Sequence, residues 1–261
     1  MALVTVDVHD GVATLTLRRP EARNALTLQM KRDFLAALDD AHDADGVRTV
    51  LLRAEGPAFC VGQDLREHAE ALAADVDSAL DTVREHYNRI VMGIATFDVP
   101  VVVAISGACV GAGLGFALAG DIRIAADDAT FATAFTGIGL ASDSGLTRAL
   151  ARTVGVGRAT DLLLRGQPFD ASEAHAWGLV QQVALAADVD RVAGEVAERL
   201  AAGPTLAYTE VKQLLRDVPT QDLENALERE ATAQERLART ADHRNAVDAF
   251  LDKRRPRFTG T

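Results

Sequence analysis

Aromatic residues and cysteine are scarce in this chain of 261 residues: aromatics make up 5% of it, and it has only two cysteines. Cys60 and Cys109 cannot build a disulfide framework and form no Cys-x-x-Cys pair, which favours a reducing compartment. The N-terminal segment carries Asp7 and Asp10 and lacks a basic start, unlike a secretory signal peptide. We therefore expect a cytoplasmic protein in which both cysteines are small apolar fillers.

Basic residues are outnumbered, with 27 lysines and arginines against 38 aspartates and glutamates and a formal net charge of −11. Such a balance provides no general attraction for nucleic acid or for an anionic membrane surface. Residues 99–120 carry no charge and are numerous enough to span a membrane, but they include Pro100 and five glycines and begin with a β-branched run. We expect a buried strand there, no membrane segment and no nucleic-acid partner.

Several catalytic motifs are missing as well. The six histidines never pair at metal-ligand spacing, and no His motif accompanies either cysteine, so we expect no metal site. The chain contains neither a Gly-x-Ser-x-Gly elbow nor a P-loop. Gly111, Gly113 and Gly115 superficially resemble a dinucleotide fingerprint, but the position of its third glycine holds Phe116. These absences disfavour a metalloenzyme, a serine hydrolase, a P-loop enzyme and a nicotinamide-dependent enzyme.

Hydrophobic periodicity predicts alternating strands and helices, hence an α/β fold with helices packed on a mostly parallel sheet. A hairpin of strands 3–8 and 12–18 comes first, and Thr27 is predicted to cap the helix that follows it. The later predicted strands cover 49–53, 101–106, 121–125 and 180–183. The predicted helices cover 27–41, 75–97, 144–153, 157–165, 171–177, 188–202, 204–216 and 220–251, with a loop at 129–145. Because no strand follows residue 187, we expect a core of 1–187 and a helical region of 188–261.

Two glycine-containing turns carry the chemical signal. The first turn, residues 60–65, and the second turn, residues 111–115, each follow a strand and precede a helical segment. Small residues at a helix N-terminus let a ligand approach free backbone N–H groups at the positive end of the helix dipole. Two such turns could converge on one oxygen and form an oxyanion hole. The alternative is that these glycines only permit close packing and bind no ligand.

Several motifs then occur together in one order. They are RNAL at 23–26, FCVGQDL at 59–65, SGACVGAGLGFALAGDIRIA at 106–125, FATAFTGIGLASDSGLTRAL at 131–150 and AFLDKRRPRFTG at 249–260. Together they resemble the crotonase superfamily, the enoyl-CoA hydratase/isomerase family. The resemblance implies a spiral of ββα units with a C-terminal helical trimerisation region, assembled as a homotrimer or a hexamer of two trimers. It also implies an acyl-CoA thioester as substrate, with no further cofactor.

Site residues follow from the matched motif positions. The backbone N–H groups of Gln63 and Ala112 would hold the thioester oxygen, and Asp143 would be the acid/base. The remaining matched positions would bind the acyl group or coenzyme A: Arg23, Ala25, Gly62, Asp64, Leu65, Gly111, Phe135 and Lys253. Of these, Lys253 would reach the phosphates of coenzyme A from a neighbouring subunit. Without the resemblance, Asp143 would be interpreted as a helix cap near Ser144.

The hydratases that this chain resembles carry two glutamates, whereas the matching positions here hold Gly115 and Phe135. Neither residue can transfer a proton. One carboxylate suffices to move a double bond, which favours isomerisation of a 3-enoyl-CoA to a 2-enoyl-CoA. The motifs most resemble the ring-epoxide isomerases of phenylacetyl-CoA degradation, although Ala141 and Ser142 depart from their pattern. The open alternatives are a hydratase of the same superfamily and a catalytically silent acyl-CoA-binding protein.

Overall fold

The computed structural model describes residues 2–217 and 222–261, and two sheets organise them. The large sheet has the strand order β1-β2-β3-β5-β7-β10, and the small sheet has the order β4-β6-β8-β9. All pairings are parallel except the hairpin β1–β2 and the pair β8–β9. The strands are β1 Val4–His9, β2 Val12–Leu17, β3 Thr49–Ala54, β4 Ala58–Cys60, β5 Val101–Ile105, β6 Ala108–Val110, β7 Ile122–Ala126, β8 Thr130–Ala132, β9 Phe169–Asp170 and β10 Gln182–Ala184.

Helices cover the sheets and form the C-terminal part of the chain. They are α1 Leu28–Asp43, α2 Leu65–Ala74, α3 Asn88–Ala95, α4 Ala112–Ala119, α5 Leu146–Arg165, α6 Ala171–Ala176, α7 Val189–Ala201, α8 Thr205–Asp217, α9 Leu223–Leu237 and α10 Ala241–Leu251. A π-helical turn over Val83–Tyr87 leads directly into α3. The predicted cap of α1 is confirmed, because the Thr27 hydroxyl accepts the backbone N–H of Met30.

One unit recurs along the chain. A long strand of the large sheet is followed by a three-residue strand of the small sheet and then by a helix, as in β3-β4-α2, β5-β6-α4 and β7-β8 with α5. Parallel neighbours require such crossover connections, and each one returns the chain to the same edge. The expected α/β fold of repeated ββα units is confirmed.

The uncharged stretch 99–120 does not form a single helix. It divides into β5, β6 and α4, and all five residues of β5 are buried in the large sheet. Among residues 2–217 and 222–261, no helix is long and apolar enough to cross a membrane.

Several predicted boundaries were wrong. The helix predicted over 75–97 starts only after a turn, because the Asp75 carboxylate accepts hydrogen bonds from Asp77 N and Ser78 Oγ and holds the chain there. The helices predicted over 144–153 and 157–165 are one element, α5, kinked at Gly155. The helix predicted over 220–251 is two helices, α9 and α10, because Thr240 caps α10; its first two residues lie outside the described ones.

The loop predicted over 129–145 contains the short strand β8 and a 3-10 turn over Thr136–Ile138. The predicted helical region after residue 187 begins with α7, which packs against β3, β5 and β7 of the large sheet. The division of the chain at 187/188 and the trimerisation role of the C-terminal helices stay predictions.

Candidate active site

The first turn is fixed by the RNAL segment that runs beside it. Leu26 N donates to Gly62 O at 2.8 Å, and Asp64 N donates to Leu26 O at 3.2 Å, which makes Gln63 the bridged partner of Leu26. In a parallel bridge of this kind, the central residue turns its own N–H away from its partner. Gly62 adopts φ +83°, a left-handed value that glycine reaches without strain. The Gln63 N–H therefore points to the side opposite Leu26.

The second turn lies on that opposite side. Gly111 N donates to Ala132 O at 3.0 Å, and α4 begins at Ala112, whose N–H has no partner within the helix. A Cβ added to Gly62 would lie 3.5 Å from Ala112 N and 3.3 Å from Val110 O, so the two turns touch. Within residues 2–217 and 222–261, neither the Gln63 N–H nor the Ala112 N–H donates to a protein acceptor. The two predicted donor residues thus lie on turns that touch, and their role as oxyanion donors stays a prediction.

Two glycines of α4 allow the close packing around these donors. A Cβ at Gly113 would overlap the carbonyl oxygen of Cys60 and lie 2.8 Å from its Cβ, which presses the second turn against β4. A Cβ at Gly115 would lie 2.6 Å from both the Cβ and the carbonyl oxygen of Ser144. Burial raises the pKa of the Cys60 thiol to about 12, so this cysteine fills space as a neutral group.

Asp143 is brought to the site by the contact between Ser144 and Gly115. Its half-buried carboxyl has a raised pKa because of desolvation, and the Ser144 hydroxyl, which donates to Oδ1 at 2.7 Å, opposes that rise. Ser144 is buried at φ +52° and Gly145 follows at φ +70°, two consecutive left-handed residues. The N-cap of α5 is Gly145, and no side chain caps the helix. The alternative interpretation of Asp143 as a helix cap was therefore wrong.

The positions that hold glutamates in the resembling hydratases contain no acid and leave no room for one at residue 115. Any side chain at Gly115 would displace Ser144. The ring of Phe135 approaches the second turn, since its Cζ lies 3.9 Å from a Cβ built on Gly111. Phe135 is partly buried against the core, where it can serve as an apolar wall. Asp143 precedes Ser144 and so lies near Gly115 of the second turn; its role as the acid/base stays a prediction.

The remaining predicted residues of the first turn and the RNAL segment also lie together. The Asp64 carboxylate accepts the guanidinium of Arg19 at 2.7 Å and caps α2 by accepting the N–H groups of Arg66 and Glu67. The same guanidinium donates to Ala25 O at 2.8 Å. Arg23 and Leu65 project outward, with Leu65 59% exposed. Their predicted contacts with coenzyme A stay predictions.

Lys253 lies elsewhere, just after α10, with an exposed side chain. In the part of the chain that the structure describes, no hydrogen bond or ion pair joins its side chain to either turn. Its predicted role from a neighbouring subunit therefore stays a prediction. Nor do three His, Cys, Asp or Glu side chains of the described residues group as metal ligands.

Sequence reasoning missed three residues that border the site: Arg19, Lys31 and Tyr87. Arg19 ties Asp64 to the RNAL segment, and Lys31 contacts the Gln63 side chain from α1. Tyr87 is buried, and desolvation and the charge of Asp143 raise its pKa well above the usual range. A lysine on the apolar face of the predicted helix 27–41 was the available signal for Lys31.

Comparisons with known proteins identify the family of the chain. The enoyl-CoA hydratase/isomerase family model matches residues 7–261. The 1,2-epoxyphenylacetyl-CoA isomerase of Escherichia coli is 37% identical over 260 residues, covering 100% of this chain and 99% of that protein. A Rhodobacter capsulatus protein named as a probable enoyl-CoA hydratase is 39% identical, covering 98% of both.

A solved structure from Mycobacterium abscessus, of a protein named for the enoyl-CoA hydratase/isomerase family, superposes with a TM-score of 0.97 at 54% identity. That superposition covers 99% of this chain and 100% of the other. The chain belongs to the enoyl-CoA hydratase/isomerase family.

Proposed function

We propose that this protein is an acyl-CoA isomerase that moves a double bond from C3 to C2 of an acyl thioester. The observation that carries the proposal is the half-buried carboxyl of Asp143, next to the Ser144–Gly115 contact at the second turn, with Gly115 and Phe135 at the positions of the second acid. The reaction needs one group that removes a proton and returns it, and a site for the charge that develops meanwhile. It requires no metal or redox cofactor.

The proposed reaction consists of two proton transfers. Asp143 removes a proton from C2 of a 3-enoyl thioester, and the electrons of the broken C–H bond delocalise onto the thioester oxygen as a dienolate. The N–H groups of Gln63 and Ala112 hold that oxygen, each contributing roughly 3–4 kcal/mol to the transition state. The protonated Asp143 then delivers the proton to C4, which leaves the double bond between C2 and C3.

The raised pKa of Asp143 suits this role. A carboxylate is a weak base at its ordinary pKa, and a pKa closer to the working pH makes proton removal from carbon less uphill. Desolvation raises the pKa of Asp143, and the hydrogen bond from the Ser144 hydroxyl opposes that increase. Ser144 thus acts as a positioning residue for the base.

A ring-epoxide phenylacetyl-CoA is a second substrate within the same proposal, and its rearrangement is supported by the name of the Escherichia coli relative. Hydration of a 2-enoyl-CoA is the second candidate function, favoured by the name of the Rhodobacter capsulatus relative. Hydration places a label from ¹⁸O-water in the acyl chain, and isomerisation does not. The absence of a second acid at residues 115 and 135 favours isomerisation.

The test is turnover of a 3-enoyl-CoA in deuterated water by the purified protein and by Asp143→Asn. We expect conversion to the 2-enoyl ester, with deuterium at C4 to the extent that protonated Asp143 exchanges with solvent before it delivers its proton, and a loss of about 10³-fold in kcat in the variant. Because the raised pKa of Asp143 means that its ionised form destabilises the fold, the variant should also have a higher Tm at pH 7, and this gain should vanish below about pH 4.

The controls separate the alternatives. Wild-type turnover in Asp143→Asn would remove Asp143 from the mechanism. Exchange of the C2 proton without migration of the double bond would support the oxyanion hole and indicate that the natural substrate is a different acyl-CoA. Tight binding of acyl-CoA esters with no exchange at all would show the catalytically silent binder instead.

We also propose that the protein acts as a homotrimer or a pair of trimers. Large apolar side chains on the C-terminal helices are exposed, among them Leu223, Phe250 and Leu251. An open, mainly apolar cleft of about 1000 Å³ lies between α3, α5 and α8. Exposed apolar surface of this extent is typical of subunit interfaces, and sedimentation analysis distinguishes a trimer from a hexamer.

A further inference from the structure

A buried lysine of α1 contacts the first turn. Lys31 of α1 is only 2% exposed and points inward with its helix neighbours Met30 and Phe34. Its ammonium donates to Thr82 Oγ1 at 2.8 Å and to the side-chain oxygen of Gln63 at 3.4 Å. Lysine is almost never fully buried without an ionic partner, because removing its charge from water is costly.

Lys31 has no such partner. Among residues 2–217 and 222–261, no carboxylate lies within 4 Å of its ammonium; Glu67 and Asp64 act only from farther away. Both of its hydrogen-bond acceptors are neutral, and Thr82 also pairs with His86 Nδ1 at 3.2 Å. Burial consequently lowers the pKa of Lys31.

Tyr87 connects this cation to the catalytic side of the site. The ammonium lies 5.4 Å from the centroid of the Tyr87 ring, a cation–π distance. The Tyr87 hydroxyl is buried without a hydrogen-bond partner in the described structure, and the charge of Asp143 contributes to its raised pKa. Lys31 and Asp143 therefore both lie near Tyr87, and Lys31 also contacts Gln63 of the first turn.

We propose that Lys31 is a positioning residue for the oxyanion site: its charge, held behind Gln63, stabilises the negative oxygen of the thioester enolate. The inference rests on the proposed function, because it requires an enolate at the Gln63 and Ala112 donors. A neutral thioester gains little from a nearby cation, whereas an enolate gains much in a poorly solvated site. The effect therefore falls on the barrier and only weakly on substrate binding.

The competing explanation is that Lys31 merely supports the fold, and stability separates the two. An unpaired buried ammonium does not stabilise the protein, so Lys31→Met should leave the Tm unchanged or raise it. Lys212 is the matched control, because its side chain is also largely buried but bonds to Asp121 and to Val99 O instead of to either turn. Lys212→Met should lower the Tm and leave the oxyanion site unaffected.

The experiment uses acetoacetyl-CoA, whose enolate absorbs in the near ultraviolet, titrated with pH while bound to the full-length protein. In Lys31→Met, we expect the apparent pKa of the bound ligand to rise by about one unit, or tenfold less enolate at a given pH. With a 3-enoyl-CoA, kcat should fall about tenfold while KM stays within about twofold. Lys31→Gln, which keeps a donor to Thr82 without the charge, should behave like Lys31→Met.

The outcomes are distinct. An unchanged enolate fraction in both Lys31 variants overturns the inference and leaves the proposed function intact. Restoration by Lys31→Gln overturns it too, because hydrogen bonding and not charge would then account for the effect. Failure of the wild-type protein to bind acetoacetyl-CoA removes both this inference and the proposed function.

Discussion

The first and second turns present the same kind of backbone donor but are held in place by different forces. Polar bonds fix the first turn: the bridge to Leu26, the ion pair of Asp64 with Arg19, and an α2 helix that buries none of its residues. Close packing fixes the second turn, since α4 is buried from Ala112 to Ala117 and its glycines touch neighbouring backbone. The proposed oxyanion site therefore combines a rigid second turn with a first turn that charge and pH can perturb.

Adding a side chain to a glycine of the second turn should have the largest effect on stability and turnover. In Gly113→Ala, the new Cβ overlaps the Cys60 carbonyl oxygen inside a fully buried contact, so α4 must move away from β4. We expect a loss of about 3 kcal/mol in the free energy of unfolding, with turnover abolished because Ala112 N shifts with the helix. Denaturant unfolding and the 3-enoyl-CoA assay measure the two effects.

Gly194 of α7 is the control for this substitution. A Cβ there meets nothing within 4 Å, so Gly194→Ala should stabilise the protein by about 0.5–1 kcal/mol through helix propensity alone. A stable, active Gly113→Ala protein would contradict the packing account of the second turn.

Substitution of Asn24, which lies in the polar network beside the first turn, should have the next largest effect on stability. Asn24 is completely buried; its side-chain nitrogen donates to Ala58 O and Glu55 O, and its oxygen accepts Arg19 N. Asn24→Ala should cost about 2–3 kcal/mol, because buried backbone groups lose their partners and alanine must adopt φ +54°. Thermal unfolding is the measurement.

Asn24→Gly separates the two causes. It removes the same hydrogen bonds but tolerates the left-handed backbone, so it should be more stable than Asn24→Ala by about 1 kcal/mol. Equal stability of the two variants would show that backbone conformation contributes nothing at this position.

The same contrast explains what the sequence could predict. Local signals predicted the hairpin, the Thr27 cap and the glycine turns, because each depends on residues close in the chain. The short strands β4, β6 and β8 escaped prediction, since three residues are too few for a period and their pairing is long-range. The start of the helix near residue 75 was missed because an Asp side chain competes there with helical bonding.

The candidate site was predictable only in part. Turn glycines and Asp143 could be found by resemblance, but the contact of Gly62 with Ala112 and of Gly115 with Ser144 exists only in the folded chain. The position of Lys31 on the apolar face of the predicted helix could indicate its burial, but its contacts with Gln63 and Thr82 join residues far apart in the chain and could not be predicted.

The smallest expected effect belongs to the ion pair of the first turn. The hydrogen bond from Arg19 holds the pKa of Asp64 below its usual value, and both side chains are largely shielded from solvent. Asp64→Asn keeps a good cap for α2 but loses the charge pairing, so it should cost about 1 kcal/mol at pH 7.

The pH dependence of that cost gives the sharper test. A lowered pKa stabilises the fold above the ordinary carboxyl pKa, and this contribution disappears as the pH falls through the lower folded-state pKa. The difference in unfolding free energy between wild type and Asp64→Asn should therefore be constant above about pH 5 and shrink below about pH 4. Asp161→Asn, which breaks an exposed pair with Arg165, should change stability by less than about 0.5 kcal/mol at any pH. A pH-independent cost for Asp64→Asn would mean that capping, not charge, holds the first turn.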